Sequence, residues 1–479
     1  MTRRLKKPSP TELPLPFELD RTPLEEKLTA FGGLPLVAQT FRALGLPDSV
    51  RRNVRVKERQ RGYDESTFVE SFVLLNAAGG EYLEDFERLR SDPALSEMVG
   101  HEIPSPEAAR KFLYEFHDDE KIEEAKQLRL PDQIAYIPGE TEAQQGLGRV
   151  NRDLVQELAR RCPMQRIATV DLDTTIIESH KAEALRTYEG ELGYQPMLAV
   201  WAEMDTILAD EFRDGNVPAL MEPLRVAQCA FAALPEEMSE YYFRGDSACH
   251  EHELLDWLRN DKRERGPEGF IGFAVSARMT PELREAVLKV PEGEWQPAGR
   301  EELDAIREYA EVAFVPSEKT ERKDAKPLRY VAIRIRKLQG TLFSNGDEVR
   351  HFAVVSNIWD WKAGRLIEWH RGKAGTIEAI HDVVKNDLAG GVLPCGRFGA
   401  NAAWFRLAVL SHNVLTALKR IGLPPEMAAA RPKRLRFQLF YVPGRLVCHA
   451  RSMILRLAVT AAELSRMLEA ATLLPQPVT

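Results

Sequence analysis

The segment from Arg166 to His180, RIATVDLDTTIIESH, constrains the fold most strongly, because it joins a strand pattern to two closely spaced acids. Alternation places Asp171 and Asp173 on one face of a predicted strand, at its carboxyl end, and β-branched residues dominate. Like charges repel, so a fold seldom holds two carboxylates together without a metal ion, a positive partner or chemistry. A solvated strand end with two surface acids is the alternative interpretation.

Composition indicates a globular protein of the cytoplasm. A length of 479 residues predicts about three domains, and 44% hydrophobic with 29% charged residues suits a large buried core. No apolar run approaches the ~20 residues of a membrane span, and the basic start of the chain lacks the apolar region of a secretory signal. The five scattered cysteines are typical of reduced thiols rather than a disulfide framework.

The order of predicted elements indicates an α/β protein preceded by helices. After the helical front, the pattern is β-β-β-α-β-α-β, interrupted by a charged, β-rich stretch and followed by a basic C-terminal region. The predicted division is a flexible arm at 1–22, a helical DNA-binding domain at 23–150, a catalytic core at 151–279 and 346–395, a β-rich insertion at 280–345, and a basic, mainly helical region at 396–479.

Three acids stand where a two-metal nuclease of the ribonuclease H fold needs them. Asp173 ends the first predicted strand and Asp246 ends the fourth, so neighbouring strands would bring the two together. Glu378 lies on a helix predicted over 374–388, beyond the sheet. Such a site takes carboxylates from separate elements to hold two cations, which activate water and stabilise the leaving oxygen of a phosphodiester.

Two other functions stay open at this level. The pattern Asp171-x-Asp173-x-Thr175 fits a haloacid-dehalogenase-type phosphatase, but that fold has βα units, and it needs a later acid where this chain has His250. A DNA-binding protein without cleavage activity, such as an inactive transposase relative, is the third possibility. A nuclease assay with magnesium separates it from an active enzyme.

Four stretches carry a family resemblance. The chain resembles the DDE transposases of bacterial insertion sequences, most closely the insertion sequence 1380 family of the group related to insertion sequence 4. The similar stretches cover most of 166–258 and 370–420, and they are DLDTTIIESHKAEALRTYEGELGYQPMLAVW, ADEFRDGNVPA, YYFRGDSACHEHELLDWL and HRGKAGTIEAIHDVVKNDLAGGVLPCGRFGANAAWFRLAVLSHNVLTALKR.

The resemblance implies a ribonuclease H-like core with Asp173, Asp246 and Glu378 as catalytic, metal-binding acids, and Mg²⁺ as cofactor with Mn²⁺ able to substitute. It implies binding to the inverted terminal repeats of the element, then DNA cleavage and strand transfer into target DNA. Because two ends must meet, a homodimer in the synaptic complex is expected. The expected location is the bacterial cytoplasm, on the nucleoid when DNA is bound.

The related group carries a helix signature, Tyr-x2-Arg-x3-Glu-x6-Lys, which this chain keeps only in part. Glu378 and Lys385 preserve its second half, whereas Arg371 and Ala374 replace the Tyr and the Arg. Lys373, one position before Ala374, is expected to serve in the Arg role. We therefore expect Lys373 and Lys385 to contact DNA.

Further DNA contacts are expected from Arg244 and from a basic C-terminal stripe. Arg244 lies two residues before Asp246, and its alternative is a surface arginine on a strand. From 397 to 456 there are eleven Lys/Arg and one acid, in a chain of net charge −8. Within RPKRLRFQLFYV, a predicted strand, Arg434 and Arg436 are expected to bind phosphates; an exposed edge strand is the alternative.

Overall fold

The computed structural model describes residues 22, 26–56, 62–130, 133–181, 183–298, 305–316, 327–337, 349–449 and 452–475. The predicted arm at 1–22, apart from Thr22, and much of the stretch between 299 and 348 therefore lie outside the described residues. Within the described part of the chain, no helix is both long enough and apolar enough to cross a bilayer.

The front of the chain is helical, as the periodicity predicts. Asp64 caps the third helix by accepting a hydrogen bond from the backbone N–H of Thr67, and this helix is buried on all sides. A short strand precedes eight helices, whose bounds are β1 Leu28–Thr29, α1 Pro35–Ala43, α2 Leu46–Asn53, α3 Glu65–Ala78, α4 Phe86–Arg90, α5 Leu95–Val99, α6 Pro106–Tyr114, α7 Asp119–Leu128 and α8 Glu142–Arg161.

Among the described residues, a mixed sheet of nine strands forms the centre of the molecule. Three small strands form a separate sheet between its first two members: β3 Ile177–Glu178, β4 Leu185–Arg186 and β5 Leu192–Tyr194. The nine strands are β2 Ile167–Thr174, β6 Met197–Trp201, β7 Thr206–Glu211, β8 Glu240–Gly245, β9 Ile271–Ser276, β10 Gln296–Pro297, β11 Ala305–Val312, β12 Arg329–Lys337 and β13 Val349–Ser356. Among them lie three helices, α9 Pro223–Ala233, α10 His252–Arg259 and α11 Pro281–Leu288.

The strand order is β10-β11-β12-β13-β9-β8-β2-β6-β7. β2, β8 and β9 run parallel to one another. On the other side of β2, β6 pairs antiparallel with β2, and β7 pairs antiparallel with β6. The β-rich stretch that was predicted as an insertion continues this same sheet, because β13 pairs with β9 through Val354 and Ser276. β2 is thereby buried in the interior of the sheet.

The remaining elements run from the sheet to the C-terminus. Their bounds are α12 Ala363–Arg371, α13 Ile377–Asp382, α14 Phe398–Ala417, α15 Pro432–Leu435, β14 Gly444–His449, β15 Ser452–Leu457 and α16 Ala461–Leu473. Short 3₁₀ turns cover Ser247–Cys249 and Gly372–Gly375, and π-helical turns follow three of these helices at Val383–Asp387, Leu418–Gly422 and Arg436–Phe440. The helix predicted over 374–388 is therefore three consecutive pieces rather than one.

One hydrophobic core joins the front, the sheet and the C-terminal region. It extends from Phe31 to Leu474 and includes the fully buried Phe72 and Trp404, whose rings meet edge to face at 5.9 Å. β1 pairs with β14 through Leu28 and Arg445, which ties the front to the end of the chain. The regions predicted as successive units thus share their packing.

The strand predicted for RPKRLRFQLFYV is wrong. These residues form α15 and the π-helical turn after it, while the strands of this region, β14 and β15, come later. Leu435, Leu439 and Phe440 are buried, which is the spacing of one helical face. The alternation of basic and apolar residues that suggested a strand is also compatible with this helical spacing.

Candidate active site

Strand pairing brings the two predicted strand-end acids to neighbouring positions. β2 and β8 are parallel and in register, with Asp171 opposite Arg244 and Leu172 opposite Gly245. One residue further, Asp173 and Asp246 leave adjacent strand ends at the same edge of the sheet. The sequence prediction that Asp173 and Asp246 end neighbouring strands agrees with this placement.

Asp171 and Asp173 have different surroundings although they share a strand face. Asp171 is fully buried, and the Arg244 guanidinium donates to both of its oxygens, at 2.6 Å from Nε and 2.8 Å from Nη2. The Thr376 hydroxyl also donates to Asp171. A paired and hydrogen-bonded carboxylate of this kind holds elements together, so Asp171 links β2, β8 and the segment before α13.

Arg244 has an internal role in place of the predicted DNA contact. Arg244 is only 5% exposed. Its Nη1 donates to the Trp369 carbonyl at 2.6 Å, and its guanidinium lies 5.3 Å from the centroid of the Trp369 ring. Its donors on Nε, Nη1 and Nη2 are thereby engaged inside the protein. A Cβ on Gly372, just after α12, would lie 2.8 Å from Nη1, so a larger residue there would have to displace this guanidinium.

Asp173 accepts a hydrogen bond from a lysine. The Lys373 ammonium donates to Oδ2 at 2.8 Å, and the Asp173 side chain keeps 18% of its surface exposed. Burial acts to lower the pKa of Lys373, but the negative charge and hydrogen bond of Asp173, and then the charge of Asp246, raise it overall. Lys373 was predicted to contact DNA, and here its charge is directed at the two acids.

Asp246 caps the 3₁₀ turn Ser247–Cys249 by accepting from the backbone N–H of Ala248 at 3.0 Å. Burial raises the pKa of its carboxyl group, and the nearby charge of Asp173 raises it further, against the opposing charge of Lys373. Mutual repulsion between two carboxylates is the electrostatic condition that a bound cation relieves.

The third predicted acid, Glu378, stands apart from this pair. It is exposed on the first turn of α13 and has no hydrogen-bond partner among the described residues. Within the same residues, no three His, Cys, Asp or Glu side chains are close enough to hold a metal ion together. Asp173 and Asp246 therefore lie at neighbouring strand ends, and Glu378 does not complete a three-ligand group with them among the described residues.

The basic side chains near α13 and α15 that were predicted to contact DNA differ in whether their charged groups are already bound within the protein. Lys385 donates to the Ile176 carbonyl at 3.1 Å, and burial lowers its pKa. Arg434 is exposed, and its Nε donates a hydrogen bond to the Gln438 amide oxygen at 3.0 Å. Arg436 is partly buried, and it donates to the carbonyls of the α3 C-terminus, so its guanidinium serves the fold.

A family model describes this architecture over almost the whole chain. Residues 25–478 match the model of the family Transposase DDE domain group 1. The chain belongs to that family. It is a transposase of the DDE class, and this membership excludes the haloacid-dehalogenase-type phosphatase. A comparison with curated protein sequences gives no significant match.

Among solved structures, the transposase is similar to a piggyBac transposase synaptic complex with hairpin DNA, solved by cryo-electron microscopy. The TM-score is 0.43 at 11% sequence identity, over 80% of this chain and 74% of the other.

Three residues beside the acids of the transposase were missed by sequence reasoning. Tyr188, on the β4–β5 turn, is 76% exposed. Partial burial and then Glu189 raise the pKa of its hydroxyl, and the charges of Asp173 and Asp246 add to this in the same direction. His370 donates from Nε2 to the Gly245 carbonyl at 3.0 Å, and burial lowers its pKa to about 4. His381 is buried, neither of its ring nitrogens has a hydrogen-bond partner among the described residues, and burial lowers its pKa to about 4 as well.

Only His381 carried a signal in the sequence, since it follows Glu378 by one helical turn and therefore lies near it on α13. Tyr188 and His370 reach the acids through the folding of β4–β5 and α12 against the sheet, which no local pattern encodes.

Proposed function

We propose that this transposase binds the inverted terminal repeats of its own element, cuts the DNA there and transfers the cut strands to target DNA. The observation that carries the proposal is the pair Asp173 and Asp246, on adjacent ends of parallel strands beside Lys373. The order β7-β6-β2-β8-β9, with antiparallel strands on one side of β2 and parallel strands on the other, supports a ribonuclease H-like core.

The donor set suits a divalent metal ion. Carboxylate oxygens are the ligands that Mg²⁺ and Mn²⁺ prefer. The negative charges of Asp173 and Asp246 already attract one cation, the ammonium of Lys373. Asp173 and Asp246 would hold the metal, with Glu378 proposed as a third ligand. When bound, the metal would activate water and stabilise the leaving oxygen of the phosphodiester.

The protein groups around the acids position the DNA strand. Arg244 and Thr376 fix Asp171, so the end of β2 is held rigidly where Asp173 emerges. Tyr188 is exposed beside the acids, where an aromatic ring can stack on a base. Lys385 and Arg434 are proposed as phosphate contacts, which would make DNA binding salt-dependent. A dimer is proposed because two ends must be joined.

The finer relationship to the insertion sequence 1380 family and the bacterial, nucleoid-associated location are part of the same proposal. They rest on the sequence stretches that resemble that family. A catalytically inactive relative is the competing candidate, and the exposed position of Glu378 is the observation in its favour.

Strand cleavage by point variants tests the proposal. Oligonucleotides carrying the ends of the encoding element are incubated with the full chain and Mg²⁺, and the same oligonucleotides with scrambled ends serve for comparison. We expect Asp173→Asn, Asp246→Asn and Glu378→Gln each to lower the cleavage rate by at least about 100-fold, since each removes a proposed metal ligand. A gel shift should show unchanged binding to the ends.

Asp382→Asn is the matched control, because Asp382 lies one turn from Glu378 on α13 and pairs with Arg431 at the surface. Its cleavage rate should equal that of the unchanged protein. Cleavage that persists in Asp246→Asn, or that is absent from the unchanged protein with every divalent metal, contradicts the proposed function.

A further inference from the structure

Lys373 holds its ammonium beside the two site acids. Its residue is 9% exposed, its ammonium lies 2.8 Å from Asp173 Oδ2, and Asp246 adds a second attractive charge. We propose that Lys373 is an internal cation that competes with the metal ion for Asp173 and Asp246, and that metal binding releases the Lys373 ammonium to bind a phosphate of the DNA strand. This inference rests on the proposed function.

The competition follows from charge. Without a cation, Asp173 and Asp246 would repel each other at neighbouring strand ends, and the ammonium balances them. A divalent ion on Asp173 would add two positive charges within a few ångströms of the ammonium. At such distances like charges repel strongly in a partly solvated site, so the two cations exclude each other.

The released ammonium has both the reach and the chemistry for a phosphate. It stands on a long flexible stem, and ammonium groups bind phosphate oxygens as point charges. The backbone carrying it, Gly372–Gly375, is a 3₁₀ turn between α12 and α13. Arg244 keeps its own counter-ion, Asp171, so Lys373 is the cation that would lose its partner to the metal.

Coupling between the two ligands follows from this exchange. Metal binding frees the lysine for DNA, and DNA that holds the lysine leaves the acids to the metal. Each ligand therefore raises the affinity of the other by the same factor. The arrangement keeps the acids from binding metal tightly before DNA is present.

Mn²⁺ binding to the full chain without DNA tests the competition, with free Mn²⁺ measured by electron paramagnetic resonance. Lys373→Met should bind Mn²⁺ about tenfold more tightly, because a competing charge is gone. Lys373→Arg keeps the charge and should bind no more tightly than the unchanged protein. Equal or weaker binding by a folded Lys373→Met protein would overturn the proposal.

Lys385→Met is the matched control for metal affinity. Lys385 lies on the same stretch of chain, but its ammonium bonds the Ile176 carbonyl and its nearby charges are Asp382, Glu178 and Glu189 rather than the two site acids. Its Mn²⁺ affinity should change by less than about twofold, because its charge does not occupy the acid pair. A tightening equal to that of Lys373→Met would indicate a general charge effect and would also overturn the proposal.

A second measurement needs no variant. Brief acetylation of the unchanged protein, followed by mass spectrometry of the peptide with Lys373, reports how free the ammonium is. Acetylation of Lys373 should rise severalfold with Mn²⁺ and fall again when DNA is added; an unchanged rate with saturating Mn²⁺ would overturn the inference. Neither measurement uses cleavage, so a failure of the proposed function shows separately, as unchanged protein that binds metal but does not cut DNA.

Discussion

Two arginines that lie two residues apart, Arg434 and Arg436, have opposite surroundings. The Arg436 guanidinium donates to the carbonyls of Ala77 at 2.9 Å and Asn76 at 2.8 Å, and it also reaches the Asp387 carbonyl. Asn76 and Ala77 lie in the last turn of α3, where carbonyls lack partners within the helix. The Asn76 carbonyl also accepts from the Gly79 N–H, whereas the Ala77 carbonyl accepts from Arg436. Arg434 projects from the surface. The fold thus uses one of the two and leaves the other available to a ligand.

Replacing each arginine by alanine should therefore have different effects. Arg436→Ala should lower the free energy of unfolding in urea by about 1–3 kcal/mol, because it leaves the buried Ala77 carbonyl without its donor. Arg434→Ala should change it by less than about 0.5 kcal/mol, but should lower the slope of log DNA affinity against log salt by ~1. Full stability of Arg436→Ala would contradict the internal role of that residue.

The choice between Asp171 and Asp173 as first acid also belongs to single residues. The alternating pattern places both on one face, so local sequence cannot separate them. Arg244 and Thr376 close off Asp171, whereas Asp173 keeps part of its surface and faces Lys373. The geometry favours Asp173.

Among the elements, β7 shows how an edge of the large sheet is covered. Ile207 at this edge donates its N–H to Asn413 Oδ1 at 2.9 Å and accepts from Asn413 Nδ2 at 2.8 Å. Asn413 comes from the buried helix α14 and also donates to Asn151 of α8 at 2.7 Å. A side-chain amide thereby replaces the next strand, which protects an edge that could pair with another chain.

Asn413→Ala should lower the free energy of unfolding in urea by about 2–4 kcal/mol, since it leaves buried backbone and amide groups without partners. Asn386→Ala is the control: its amide donates to Asp382 at the surface, and its loss should cost about 0.5 kcal/mol. Equal stability of the two variants would show that α14 does not hold the sheet edge through Asn413.

The helix predicted over 374–388 is broken for a tertiary reason. Thr376, with φ −106° and ψ −73°, separates the 3₁₀ turn from α13, and its hydroxyl bonds both Asp171 and the Lys373 carbonyl. Apolar spacing alone predicted a continuous helix, because it records which face is buried and not where a side chain must reach an acid.

At the scale of the molecule, the shared core makes the front and the C-terminal region parts of one packed body. Trp404 of α14 contacts Phe72 of α3, and Arg161 at the end of α8 donates to the Leu474 carbonyl at 2.7 Å. Elements far apart in sequence therefore bury each other's apolar surfaces. In the separate domains that the chain length predicts, each domain would bury its own.

We expect α3, β2 and α14 to unfold together. Hydrogen exchange followed by mass spectrometry at increasing urea should give one midpoint for the three elements, because none keeps its buried surface alone. Loss of protection in α3 at clearly lower urea than in β2 would instead indicate an independent helical domain.

The sequence by itself determined the central strands and the acids that end them. Alternation predicted the strand that forms β2, and the order of predicted elements put Asp173 and Asp246 at the ends of neighbouring strands. These features are local, because alternation along a strand sets which side chains share a face.

Only the tertiary structure decided which charges are free. The count of eleven basic residues against one acid from 397 to 456 overlooked acids that arrive from elsewhere in the chain. Asp387 pairs with Arg431 and Lys433, and Asp210 pairs with Arg406. A charge is neutralised by whatever packs against it, and that partner is set by long-range contacts that no window of sequence contains.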